Sequence, residues 1–252
     1  MYFNINHLSI YYEKYGNSND SIVILPGWGD TRKTFYNMIF SLQENYTIYI
    51  LDYPGFGNSS IPKNDLTIYD YTNIIIKFLE YNNIKNPIII AHSFGGRIST
   101  LLSGYYNIKI NKLILMDIAP IKPKKSIYSK IKQSIYKLLK KVSYILPSKY
   151  KNKYLNKLIS IFGSTDYKNI PITMRNTFKN IINEDLSKYL EYINTETLII
   201  WGLLDKSTPL KYGKIINKKI NNSILITIPN SYHFPYLDYP ILINNIIKEF
   251  LK

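Results

Sequence analysis

Cysteine is absent from all 252 residues, which removes disulfides, thiolate metal sites and cysteine nucleophiles together. Histidine is almost absent as well, so imidazole chemistry has only His7, His92 and His233 to draw on. No apolar run approaches the roughly 18 residues of a membrane span. The opening segment MYFNINHLSIYYEKYG has no basic stretch leading into an apolar one, so neither export nor membrane spanning is indicated and a cytoplasmic protein is expected. Acidic side chains are scarce, 17 against 32 Lys and Arg. What remains, 46% hydrophobic and 19% charged with 11 Gly and 12 Pro, describes a globular chain: one large domain, or one domain with an inserted cap. At this length a core forms without metal or disulfide staples.

The formal charge of +15 first suggests a nucleic-acid binder, but its distribution argues otherwise. Twelve lysines and no acidic residue fall between Lys122 and Lys157, whereas the rest of the chain is nearly balanced. No nucleic-acid-binding motif and no basic, aromatic-laced strand surface is present, so nucleic acid is not an expected partner.

Short β-branched runs between turn signals read as buried strands: Leu8 to Tyr12, Ile22 to Leu25, Thr47 to Leu51, Pro87 to Ala91, Leu113 to Met116, Leu198 to Trp201 and Ile224 to Ile228. Stretches with helical spacing lie between several of them, such as Ile68, Tyr71, Ile75 and Phe78. This alternation predicts a mostly parallel sheet flanked by helices, with ligands beyond the carboxyl ends of the strands. Residues 1–119 and 196–252 form that core. Between them, residues 120–195 are lysine-rich, broken by prolines and without a core strand, and are expected to be an inserted helical cap. Within it Ile127, Ile131, Ile135, Leu138, Val142 and Ile145 recur at steps of 3 and 4, one apolar stripe on an otherwise lysine-rich helix.

Pro87 to Thr100, PIIIAHSFGGRIST, is the most specific segment. A strand runs straight into Ser93 and then into a helix, and a nucleophile at such a junction needs small residues two positions away on each side, where the backbones pass close. Ala91 and Gly95 meet that need, with Gly96 beside them. Serine is a poor nucleophile without a base. His7 lies in the N-terminal strand region and His92 adjoins Ser93, pointing away along the turn. His233, in a loop between the last strand and the C-terminal helix, is the candidate. A base also needs an acid to hold its tautomer. Asp205 and Asp117 both follow strands; the chain order Ser, Asp, His, with the acid before the last strand, favours Asp205. The loop Pro26-Gly27-Trp28-Gly29-Asp30 follows another strand, and its glycines allow a backbone amide to face the site. Trp28 and Phe94 are the candidate oxyanion donors, and Gly27 and Gly29 support the loop.

Taken together, LPGWGD, LDYPGFGNS, AHSFGG and WGLLDKSTP with the His233 loop resemble the α/β-hydrolase superfamily, in particular its capped serine hydrolases of carboxylesterase type. The resemblance implies an α/β-hydrolase fold with a helical cap, a triad of Ser93, Asp205 and His233, an organising rather than catalytic Asp52, and no cofactor or metal. Pro26 stands where the family usually has His, and Ala91 replaces the first Gly of the elbow. The expected activity is hydrolysis of a small-molecule ester or similar acyl bond through an acyl-enzyme. Competing readings are a carbon-carbon bond hydrolase or an aminopeptidase using the same triad, and a ligand-sensing protein on the same fold. An aminopeptidase would draw on the cap carboxylates Asp166, Glu184, Asp185 and Glu191. The lysine-rich cap raises two partners, an anionic membrane surface or an acidic carrier protein, against the plainer alternative that the stripe covers the pocket while the lysines face solvent.

Overall fold

The structure, a computed structural model, describes residues 1–123, 127–145, 147–162, 167 and 170–252. Asp166, Lys168 and two of the twelve cap lysines, Lys124 and Lys125, lie outside the described residues.

Eight strands among these residues form a single sheet: β1 Tyr2–Ile5, β2 Leu8–Tyr15, β3 Ser21–Leu25, β4 Thr47–Leu51, β5 Ile88–His92, β6 Lys112–Met116, β7 Glu196–Gly202 and β8 Ser223–Ile228, in the order β1-β2-β4-β3-β5-β6-β7-β8. The β1–β2 and β2–β4 pairs are antiparallel and all the others parallel. The sheet is thus mostly parallel, as the alternation of strand and helix predicts. Strand β1 escapes the sequence pattern because it is an edge strand that buries only Phe3. His7 is exposed in the turn that joins it to β2.

The central parallel strands are apolar on both faces, since both are covered by helices. Val23, Leu25, Ile89 and Ala91 face one cluster with helices α2 (Ile68–Tyr81) and α3 (Phe94–Gly104); Ile22, Ile24, Ile88 and Ile90 face another with α1 (Tyr36–Leu42). Helix α2 starts at a reciprocal cap, in which Thr67 Oγ1 accepts from Asp70 N and Asp70 accepts from Thr67 N.

By packing, the chain divides into two compact units, Met1–Lys122 with Asn180–Lys252, and Pro123–Lys179. The second contains α4 (Ile127–Val142) and α5 (Ser148–Phe162), with α6 (Arg175–Asn183) beginning in it. Tyr154 Oη donates to Leu139 O at 3.0 Å across the α4–α5 pair. This division and the expected insertion at 120–195 differ mainly at the C-terminal side: Ile181, Leu186, Leu190 and Ile193 are buried in the core cluster of the first unit. The chain then continues through β7, α7 (Leu210–Lys219), β8, the short α8 (Pro235–Asp238) and α9 (Pro240–Leu251).

Candidate active site

Ser93 sits at the end of β5 with φ 47° and ψ −106°, a left-handed conformation that a non-glycine residue rarely adopts. The surrounding chain holds it there: Ser93 N donates to Met116 O at 3.1 Å, and Gly95 N to Pro26 O at 3.0 Å. A Cβ on Gly95 would lie 2.0 Å from Leu25 O, so the close approach of α3 to β3 requires glycine. Pro26 is therefore used through its backbone carbonyl, whichever side chain it carries.

His233 Nε2 lies 3.0 Å from Ser93 Oγ, and His233 Nδ1 lies 2.8 Å from Asp205 Oδ2. Because a carboxylate only accepts, the network assigns the imidazole proton to Nδ1 and leaves Nε2 to accept from the Ser93 hydroxyl. Asp205 is buried. Burial works against its charge, but hydrogen bonds from His233 and Thr208 outweigh it and hold the carboxyl down at about 2. Its Oδ1 accepts from Ser207 N at 2.7 Å and Thr208 N at 3.1 Å, and its Oδ2 also accepts from Thr208 Oγ1 at 2.6 Å.

Asp117, the other candidate acid, follows β6 and makes no hydrogen bond to His233 among the described residues. Its Oδ1 accepts from Gly202 N at 3.0 Å, while its buried Oδ2 meets no donor. Burial, reinforced by the adjacent Asp205 charge, pushes its carboxyl up to about 9, so it is neutral at pH 7 and has a proton to donate toward Asp205. Asp117, Asp205 and His233 each offer one ligand atom within 4.8 Å of the others, spacing that suits a cation. Four hydrogen bonds already occupy Asp205, however, and a neutral Asp117 is a poor metal ligand.

The two residues named as oxyanion donors are neighbours, with the Trp28 and Phe94 rings edge-to-face at 5.2 Å. In their loop Gly29 has φ +78°, and a Cβ on Gly27 would strike Asp30 and His92. Asp52 holds the following loop, accepting from Arg32 Nη1 at 2.5 Å and Asn58 N at 2.9 Å. Chemically, a serine on a strained turn, an imidazole accepting its proton and a buried carboxylate behind that imidazole can perform nucleophilic attack on a carbonyl.

A sequence model described as alpha/beta hydrolase fold matches residues 20–140. A pimeloyl-(acyl-carrier protein) methyl ester esterase of Wigglesworthia glossinidia brevipalpis is 31% identical over 256 residues, covering 94% of this chain and 95% of the relative. The chain belongs to the α/β-hydrolase family. It is also similar to the 2-hydroxy-6-oxononadienedioate/2-hydroxy-6-oxononatrienedioate hydrolase 1 of Pseudomonas putida, 22% identical over 97% of this chain and 92% of the relative. Among solved structures, the α/β hydrolase MGS-M2 from a Medee basin deep-sea metagenome library superposes with a TM-score of 0.77 at 22% identity, covering 100% of this chain and 97% of that one. These likenesses make the protein a hydrolase.

Several residues of this α/β-hydrolase escape sequence reasoning. His92 turns from Ser93 toward the loop carrying His233, where its Nε2 donates to His233 O at 2.8 Å, while its Nδ1 faces Asp30 Oδ2 at 3.1 Å. It thus lies between the Gly-rich loop after β3 and the loop carrying His233. Burial lowers its pKa, against the pull of Asp30. Gly202 lets β7 pass under that loop, since a Cβ there would lie 2.0 Å from Tyr232 O. Asp238 secures the loop by accepting from Ser231 Oγ and Tyr232 N at 2.9 and 2.8 Å. Arg97, one turn beyond Ser93, donates to Ala119 O at 2.5 Å, to Ile181 O at 2.7 Å and to Glu184 O, fastening the chain on both sides of residues 123–179. For Thr208, which holds the Asp205 carboxylate, the sequence carries a faint signal in the Asp205-x-x-Thr208 spacing of a side-chain-capped turn.

Proposed function

We propose that this protein is a serine hydrolase that cleaves a carboxylic ester through an acyl-enzyme. Ser93 attacks the carbonyl, His233 takes its proton and returns it to the leaving alcohol, and Asp205 orients His233 and stabilises the imidazolium. The backbone amides of Trp28 and Phe94 receive the oxyanion. The observation that carries this reading is the continuous path Ser93 Oγ, His233 Nε2, His233 Nδ1, Asp205 Oδ2 at 3.0 and 2.8 Å. An aminopeptidase is less well supported, because Glu184 accepts from Tyr69 Oη at 3.2 Å and Asp185 from Ser187 N at 2.9 Å, leaving these carboxylates engaged elsewhere. Within ester chemistry, the 31%-identical relative supports a methyl ester of an acyl chain borne on a carrier protein as a narrower reading of the substrate.

The test is turnover of a p-nitrophenyl ester series together with labelling by a fluorophosphonate probe. The intact protein is expected to turn over repeatedly and to be labelled, and Ser93→Ala to lose both. Labelling that persists in Ser93→Ala would refute the nucleophile, and turnover of aminoacyl anilides alone would refute the esterase.

A further inference from the structure

Helix α4 has two unlike faces. One packs on α5: the rings of Tyr136 and Phe162 meet at 5.9 Å, Lys132 Nζ lies 6.0 Å over the Phe162 ring, and Ser143, just past the helix, is buried. Ile127, Ile131, Ile135, Leu138 and Val142 lie about a third of a turn away on the helix, by its 3.6-residue period. They are 43% to 77% exposed, and Ile145 beyond them is 86% exposed. By the same period Lys137 and Lys141 border this stripe on one side and Lys132 on the other. The surrounding stretch, 122–157, has twelve lysines and no acidic residue to offset them.

From this arrangement we infer that the exposed face of α4 is a docking surface for an anionic lipid membrane, lying in the headgroup plane. An aliphatic stripe open to water, bordered by lysines whose stems reach sideways, matches an interface that offers hydrocarbon and phosphate at adjacent depths. Charge complementarity selects the anionic surface, because each lysine near it gains from the negative potential and residues 122–157 hold no carboxylate to be repelled. An acidic protein would engage the lysines but leaves the stripe unexplained. The helix rests on the bilayer, since among the described residues no helix is long and apolar enough to cross one.

The experiment is co-sedimentation of the full chain with extruded vesicles, either phosphatidylcholine alone or with about one-third phosphatidylglycerol, at low and high salt. Sedimentation is expected only with the anionic vesicles and is expected to weaken at least about tenfold at high salt, as screened charge attraction requires. Ile131→Asp/Leu138→Asp, at exposed positions that leave folding intact by circular dichroism, is expected to abolish it. Lys137→Ala/Lys141→Ala is expected to weaken it while retaining the salt dependence. The inference is overturned if the folded wild-type chain stays in the supernatant with anionic vesicles at low salt. It is equally overturned if the stripe variant sediments like wild type; a loss of soluble-ester turnover in that variant would then assign the stripe to this chain's own pocket.

Discussion

Replacing Asp117 by Asn is expected to stabilise the protein, increasingly so as pH rises. The native carboxyl titrates at about 9 against an ordinary 3.8, so between those values the folded state holds a proton that the unfolded state has lost. Folding stability then falls as pH rises, by about 1.4 kcal/mol per pH unit. The proton-linked stability is fully present below about pH 4 and is lost progressively toward pH 9. Over the interval from 3.8 to neutrality the loss amounts to about 4 kcal/mol, a large fraction of a domain's total stability. Asparagine mimics the protonated acid: its oxygen keeps the bond from Gly202 N, its amide donates toward Asp205, and it tolerates the φ of 45° at this position. Urea unfolding followed by circular dichroism at pH 5, 6, 7 and 8 measures the difference. Asp205, held at about 2, loses its contribution only as pH falls below about 4 and stays out of this window. A gap between variant and wild type that is constant from pH 5 to 8 would refute the reasoning, because it would mean that Asp117 ionises normally in the folded protein.

Three further outcomes follow from the same network. Asp205→Asn is expected to lower kcat on a p-nitrophenyl ester by about 10⁴, since the imidazole would lose the acceptor that fixes its tautomer; a loss under tenfold would reassign the orienting acid. Gly202→Ala is expected to push Tyr232 and the His233 loop outward and cost about 10² in kcat, with a chemical-denaturation midpoint that moves far less than a core truncation would require; unchanged kcat would show that the loop yields freely. Arg97→Met is expected to destabilise the fold by about 3 kcal/mol or more, because three carbonyls lose a charged donor. Hydrogen exchange should quicken first around residues 181–186, and exchange that quickens uniformly would contradict its role as a local fastening.

The residues of the candidate site divide by how far their partners lie along the chain. Ser93 was legible because its constraint is local: strand, Ala91, Ser93, Gly95 and helix are contiguous, and steric fit at the turn leaves a pattern in neighbouring positions. The alternating strand and helix pattern was legible for the same reason, since burial on both faces makes each central parallel strand a short apolar run. Strand β1 was not, because an edge strand burying one side chain has no such run. Asp205 and Asp117 are both acids just past a strand, and chain order only favours Asp205; the packing of β6, β7 and β8 side by side gives it to His233 at 2.8 Å and leaves Asp117 facing its neighbour's charge. His92, Gly202 and Arg97 belong to this second kind, their partners lying 22 to 141 positions away. The sequence by itself determined which side chains were available and where the chain turns sharply. The tertiary structure decided which of them meet, because hydrogen-bond reach and desolvation depend on distances that the order of residues does not encode.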